Sequence, residues 1–220
     1  MRTTTGGYLT ELQTALQRLD TSQLEAVVDG LFQVFLRGGN VYTFGNGASA
    51  ALASHMACDL GKGTATDVGH GISLAARRLR VISLADNVAL MTAYGNDLDY
   101  RDIYLEQLKN LLGPGDAVIG ISGSGSSPNV LRGMEYARSS GALTIGFTGG
   151  RLSGDQLARH CDICVRVPLT MMEQIEDLHV VCHHAVGLAL RERIFEHART
   201  EFVAEALTLP EVGIPDQIQA

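Results

Sequence analysis

The stretch GNGASAALASHMACDLGKG, Gly45 to Gly63, decides the fold. It follows NVYTF, a run of β-prone residues, so strand, glycine turn and helical pattern succeed one another without a linker. In a parallel sheet, such a unit turns its loop amides and the positive end of its helix toward an anion. His55 and Asp59 stand at i and i+4 on one face of that helix, a relation that serves metal ligation or a simple polar pair.

Upstream, the first 38 residues have helical spacing. YLTELQTALQRL carries leucines at that period, and DTSQLEAVVDGLFQVFLRGG opens on polar caps and closes on glycines. Downstream, LRVISLA reads as a second buried strand, and GPGDAVIGIS, LTIGFTGG and CDICVRVP read as further strands. Between them lie the helical DNVALMTAYGNDLDYRDIYLEQLKNLL, interrupted at Gly95–Asn96–Asp97, and PNVLRGMEYARSSG, with Pro128 in its first turn and Gly141 at its stop. LSGDQLARH makes a short helix, and a long one runs from Met172 to about Arg199.

This alternation predicts an α/β fold, a three-layer α/β/α sandwich of about five parallel strands with extra N- and C-terminal helices. The expected division is an N-terminal helical segment at 1–36, the α/β domain at 37–200 and a tail at 201–220. Ligands of such sheets bind beyond the strand C-termini, where the strand order switches. The loops Gly45–Ser49 and Ser122–Ser127 both follow strands and belong on that edge.

A chain of 220 residues with 45% hydrophobic content can bury a full core. Its net charge of −7 argues against a nucleic-acid or anionic-membrane surface, while local loops can still hold small anions. MRTTTGGYLTELQ lacks the apolar centre of a signal peptide, and no run of about 18 apolar residues suggests a span. The four cysteines form no secreted framework, so a cytoplasmic location is expected. Cys161 and Cys164 form a CxxC within an expected strand, where positions three apart face opposite sides, which implies ordinary burial.

ISGSGSSPN offers hydroxyls and loop amides just ahead of a helix, a setting for phosphate or simply a serine turn with an N-cap. It lacks the GK[ST] ending that nucleoside triphosphate hydrolysis requires. GNGASA is a weak dinucleotide-type signal, because no acidic ribose partner ends LRVISLA. Taken with the serine loop, it points to a shared anionic ligand. The last helix carries Glu173, Glu176, Asp177, His179, His183 and His184, three histidines and three acids in twelve positions, more than a solvated face needs. Helical spacing groups Glu176, His179 and His183 on one stripe and Asp177 with His184 on its neighbour. A mixed set drawn from two helices suits zinc or another divalent ion.

Together these segments resemble the sugar isomerase (SIS) domain, a flavodoxin-like fold, and most closely its phosphoheptose isomerase branch. GNGASAALASHMACDL parallels GNGGSA…H-x-x-x-E, Asn96–Asp97 the N-D segment, ISGSGSSPNV the phosphate loop, and EDLHVVCHHAVGLAL the helix Q-E-x-H-x-x-x-x-H. The resemblance covers about residues 8 to 195, with four motifs in order. It implies that Ser122, Gly123, Ser124 and Ser127 hold a phosphate. Asn46, Gly47, Ala48, Ser49, Asn96, Asp97 and Glu176 would line the sugar, and His55, Asp59, Glu176 and His184 would bind the metal. Helical phase with Glu176 favours His183 over His184.

The implied reaction is aldose–ketose isomerisation of sedoheptulose 7-phosphate to D-glycero-D-manno-heptose 7-phosphate through an enediol, with Asp59 as base and His184 as acid partner. The resemblance also implies a homotetramer with sites at subunit boundaries. Three positions depart from the pattern. Asp59 replaces Glu, a reach shorter by about 1.5 Å; Glu176 replaces Gln; Gly123 stands where Thr is common. Lys62 lies near the family's basic position. The alternatives are an isomerase of another phosphosugar and a non-catalytic SIS regulator that binds a protein partner.

Overall fold

The computed structural model describes residues 4–65 and 78–208, with 202–208 as backbone alone. Strands β1 (Asn40–Gly45), β2 (Arg80–Ser83), β3 (Ala117–Ile121), β4 (Leu143–Thr148) and β5 (Ile163–Arg166) form one sheet. Every pairing is parallel and the order is β2-β1-β3-β4-β5. All residues of β3 are buried, whereas β2, expected to be buried, is largely open because it forms the sheet edge. Apolar runs without alternation make a strand covered on both faces.

Side chains alternate between two cores, as the strand period requires. Val41, Ile119, Ile145 and Phe147 face α2 (Thr21–Arg37), α3 (Ala48–Gly63) and α8 (Met172–Thr208), where Leu31, Met56 and Leu178 meet them. Phe44 and Val118 face the opposite layer, α5 (Ile103–Leu111) and α6 (Pro128–Ser139), through Tyr104, Val130 and Met134. Phe44 stacks on Tyr104 with ring centroids 4.7 Å apart. α1 (Thr5–Gln17) lies against α8, α4 (Val88–Asp97) precedes α5, and α7 (Gly154–Ala158) precedes β5. The expected three-layer sandwich with added terminal helices is what forms.

Three local expectations need correction. α4 runs through Gly95–Asn96–Asp97 and breaks only at Leu98, because Asp99 caps a new 3-10 turn, Tyr100–Asp102, by accepting from Arg101 N at 2.7 Å. α8 continues to Thr208 rather than ending near Arg199, since ARTEFVAEALT holds no glycine or proline to stop it. Cys161 lies before β5, not within it. The chain bends at Asp162, whose carboxylate accepts from Thr144 N and Oγ1 at 2.9 and 2.8 Å, and the Cys161 thiol donates to the Leu157 carbonyl at 3.1 Å. Among the described residues, no helix is long and apolar enough to cross a membrane.

Candidate active site

The winding of the sheet reverses between β1 and β3, and Gly45 pairs with Ile121 there. The loops after these two strands therefore lie side by side. Gly47 enters α3 with φ 57° and ψ −124°, a backbone state that a side chain resists. Asn46 is locked by a reciprocal pair of amide bonds with Asn129, both 2.8 Å, and its Oδ1 also accepts from the Tyr100 hydroxyl at 3.1 Å. The Tyr104 hydroxyl donates to the Gly45 carbonyl from below.

In the second loop the hydroxyls converge. Ser122 Oγ lies 3.0 Å from Ser127 Oγ and 3.4 Å from Ser124 Oγ, and accepts from Gly125 N at 3.1 Å. Ser124 Oγ accepts from the Ser126 hydroxyl at 3.2 Å. Ser127 is the N-cap of α6 but spends no side-chain bond on it, leaving its hydroxyl for the loop's own cluster. Gly123 leaves room for Met172 and Ile175. A Cβ there would fall 2.5 Å from Met172 Sδ and 3.3 Å from Ile175 Cγ2, because the start of α8 rests on the loop.

Between α3 and α8 a second cluster forms. Asp59 Oδ2 lies 3.1 Å from His55 Nε2, 3.0 Å from His183 Nε2 and 3.6 Å from His184 Nε2. The four ligand atoms all lie within 4.8 Å of one another. Donor atoms around a tetrahedral zinc ion stand about 3.4 Å apart, so three imidazoles and one carboxylate at this spacing fit such an ion in number, type and reach. His183 is 1% exposed and His184 49%, so the first is a fixed anchor and the second faces solvent. Burial lowers the His183 pKa, and the Asp59 carboxylate beside it pulls the other way.

Glu176 is not part of this group. Two helical turns, about 10 Å of rise, separate it from His183. It lines instead a cavity of about 320 Å³ with Ala48, Ser49, His55 and His179. Its carboxyl pKa is raised by burial first, then by Glu173 and Asp177. Asn96 and Asp97 are exposed at the end of α4 and bond to each other at 2.8 Å. On the other side of the cluster, Asp59 and His184 border a cavity of about 440 Å³ with Lys62 and Arg191.

Four participants carried no assigned role in the sequence reading. Tyr100 and Asn129 hold Asn46; the Asn that follows Pro128 in SSPN was the available sign of one. Tyr8 reaches across from α1 to donate to Asp177 Oδ2 at 2.5 Å, a contact between positions 169 residues apart that no local pattern announces. His179 was visible as part of the histidine stripe, without its buried setting.

The SIS domain profile matches residues 7–149. The phosphoheptose isomerase of Roseiflexus sp. (strain RS-1) is 36% identical over 78% of this chain and 82% of its own. That of Rhodospirillum rubrum is 37% identical over 75% of this chain and 83% of its own. A solved phosphoheptose isomerase from Francisella tularensis superposes with a TM-score of 0.74 at 25% identity, covering 85% of this chain and 96% of that one.

Proposed function

Because the chain belongs to the SIS domain family, in its phosphoheptose isomerase branch, we propose that it converts sedoheptulose 7-phosphate to D-glycero-D-manno-heptose 7-phosphate. The observation that carries this reading is the Asp59 carboxylate ringed by three imidazoles, on the helix that leaves the Gly45–Gly47 turn.

The phosphate binds at Ser122, Ser124 and Ser127, whose neutral donors and neighbouring amides suit a dianion at the start of α6. The sugar lies over Asn46, Gly47, Ala48 and Ser49, with Asn46 fixed by Asn129 and Tyr100. His55, Asp59, His183 and His184 would hold a divalent ion, zinc first by donor type. Such an ion supplies Lewis-acid polarisation of the substrate carbonyl. Asp59 takes the proton from the carbon beside the carbonyl. The solvent-facing His184 moves the proton between the two enediol oxygens, and Asp59 returns its proton to the former carbonyl carbon, so that the enediol becomes the isomeric carbonyl.

The same reading extends to a cytoplasmic homotetramer. Leu9, Val181 and Leu188 leave large apolar side chains exposed on α1 and α8, surface that a second copy would cover.

The test is a coupled assay with sedoheptulose 7-phosphate, with and without zinc, on wild type and His184→Ala. Zinc-dependent turnover that the variant loses supports the isomerase. No turnover together with no bound metal sinks it and leaves a non-catalytic SIS protein; metal without turnover points to another sugar phosphate.

A further inference from the structure

His179 stands one turn along α8 from Glu176 and is 1% exposed, yet among the described residues neither ring nitrogen has a hydrogen-bond partner. The Thr148 backbone lies close enough to favour the charged ring, without meeting hydrogen-bond geometry with either nitrogen. Buried polar atoms without partners are rare, and each asks for an explanation. The ring is braced against Phe147, perpendicular to it at 5.7 Å.

His179 borders a cavity of about 320 Å³. His55, from the ion-type cluster, lines the same cavity, and so do Ala48 and Ser49 from the turn. One turn before His179, Ile175 packs against Gly123 of the serine loop. His179 therefore lies between the loop assigned to phosphate and the group assigned to proton transfer. Burial holds its pKa down to about 4, so the imidazole is neutral, with one donor nitrogen and one acceptor. Whichever nitrogen meets it, a hydroxyl is a fitting partner, because it can both donate and accept. An anion is disfavoured, because Glu176 and Asp177 line the same cavity and the ring carries no charge.

We propose that His179 binds the substrate directly, its imidazole hydrogen-bonding a hydroxyl of the uncharged sugar chain inside this cavity and so setting the chain's register between the serine loop and Asp59. The proposal rests on the phosphosugar isomerase reading and adds to it a contact for the polyol portion.

The experiment compares zinc-loaded wild type, His179→Leu, His179→Gln and His179→Asn in steady-state kinetics with sedoheptulose 7-phosphate, alongside competitive inhibition by inorganic phosphate. One neutral hydrogen bond corresponds to about a tenfold effect, so His179→Leu should raise KM about tenfold with a smaller change in kcat. Phosphate inhibition and zinc content should stay at wild-type values, and His179→Gln should recover part of the KM. Wild-type KM in His179→Leu overturns the proposal while leaving the isomerase intact, as does a KM rise matched by equal loss of phosphate inhibition. If the leucine variant does not fold, His179→Asn decides: a KM raised severalfold supports the contact, and an unchanged one overturns it. An inert wild type overturns the isomerase reading and this contact with it.

Discussion

Asp59 sits at the centre of the three-histidine cluster, and its short side chain is matched by its neighbour. His183 falls on an unspecified position of the family's helix motif, yet it is buried and holds Asp59 Oδ2 at 3.0 Å. Lengthening the carboxylate should therefore crowd the site. Asp59→Glu is expected to lower kcat by about a hundredfold, the usual consequence of a 1 Å misplacement; steady-state rates decide. Gly123 shows the same pairing in packing. Gly123→Thr should destabilise by about 1–3 kcal/mol in urea unfolding by driving its Cβ into Met172, and Met172→Ala should relieve it. His179 gives the pH prediction. Its folded pKa of about 4 lies below the ordinary 6.5, so the unfolded chain takes up the proton first as pH falls. Stability should thus be full above pH 6.5 and decline toward pH 4, by about 3 kcal/mol from this group, a slope that His179→Gln reduces.

At the scale of elements, the sheet and its two facing layers were legible because each carries its own period. β3 reads as a buried strand from AVIGI alone, and α6 from Pro128 to its glycine stop. What was not legible were the points where side chains from elsewhere override local pattern. Asp162 bends the chain ahead of β5 through Thr144, and Asp99 rather than Gly95 ends α4. α1 is a case of an element whose place depends on few bonds. Its only buried residue is Ala15, and it is tied to α8 by Tyr8 to Asp177 and by Gln174 to Glu11 at 2.9 Å. Tyr8→Phe should speed amide hydrogen exchange in α1 while shifting global stability by no more than about 1 kcal/mol.

At the scale of the molecule, the two helices α3 and α8 form the ion-type site only by packing together, so an ion bound there links their docking to its own affinity. Chelation should lower the melting temperature of the zinc-loaded protein, and His55→Ala should abolish that dependence; an ion in hundredfold excess over its Kd stabilises by about 2.7 kcal/mol. The sequence by itself determined the layer order, the two ligand loops on one sheet edge and the family, because these follow from residues near one another in the chain. Only the tertiary structure decided which of six polar residues on α8 face α3. Helical phase alone placed Glu176 and His183 on one stripe, but their separation along the axis leaves the first at the cavity beside Ala48 and Ser49 and the second on Asp59. Phase is a property of one helix, whereas depth is fixed by where two helices cross.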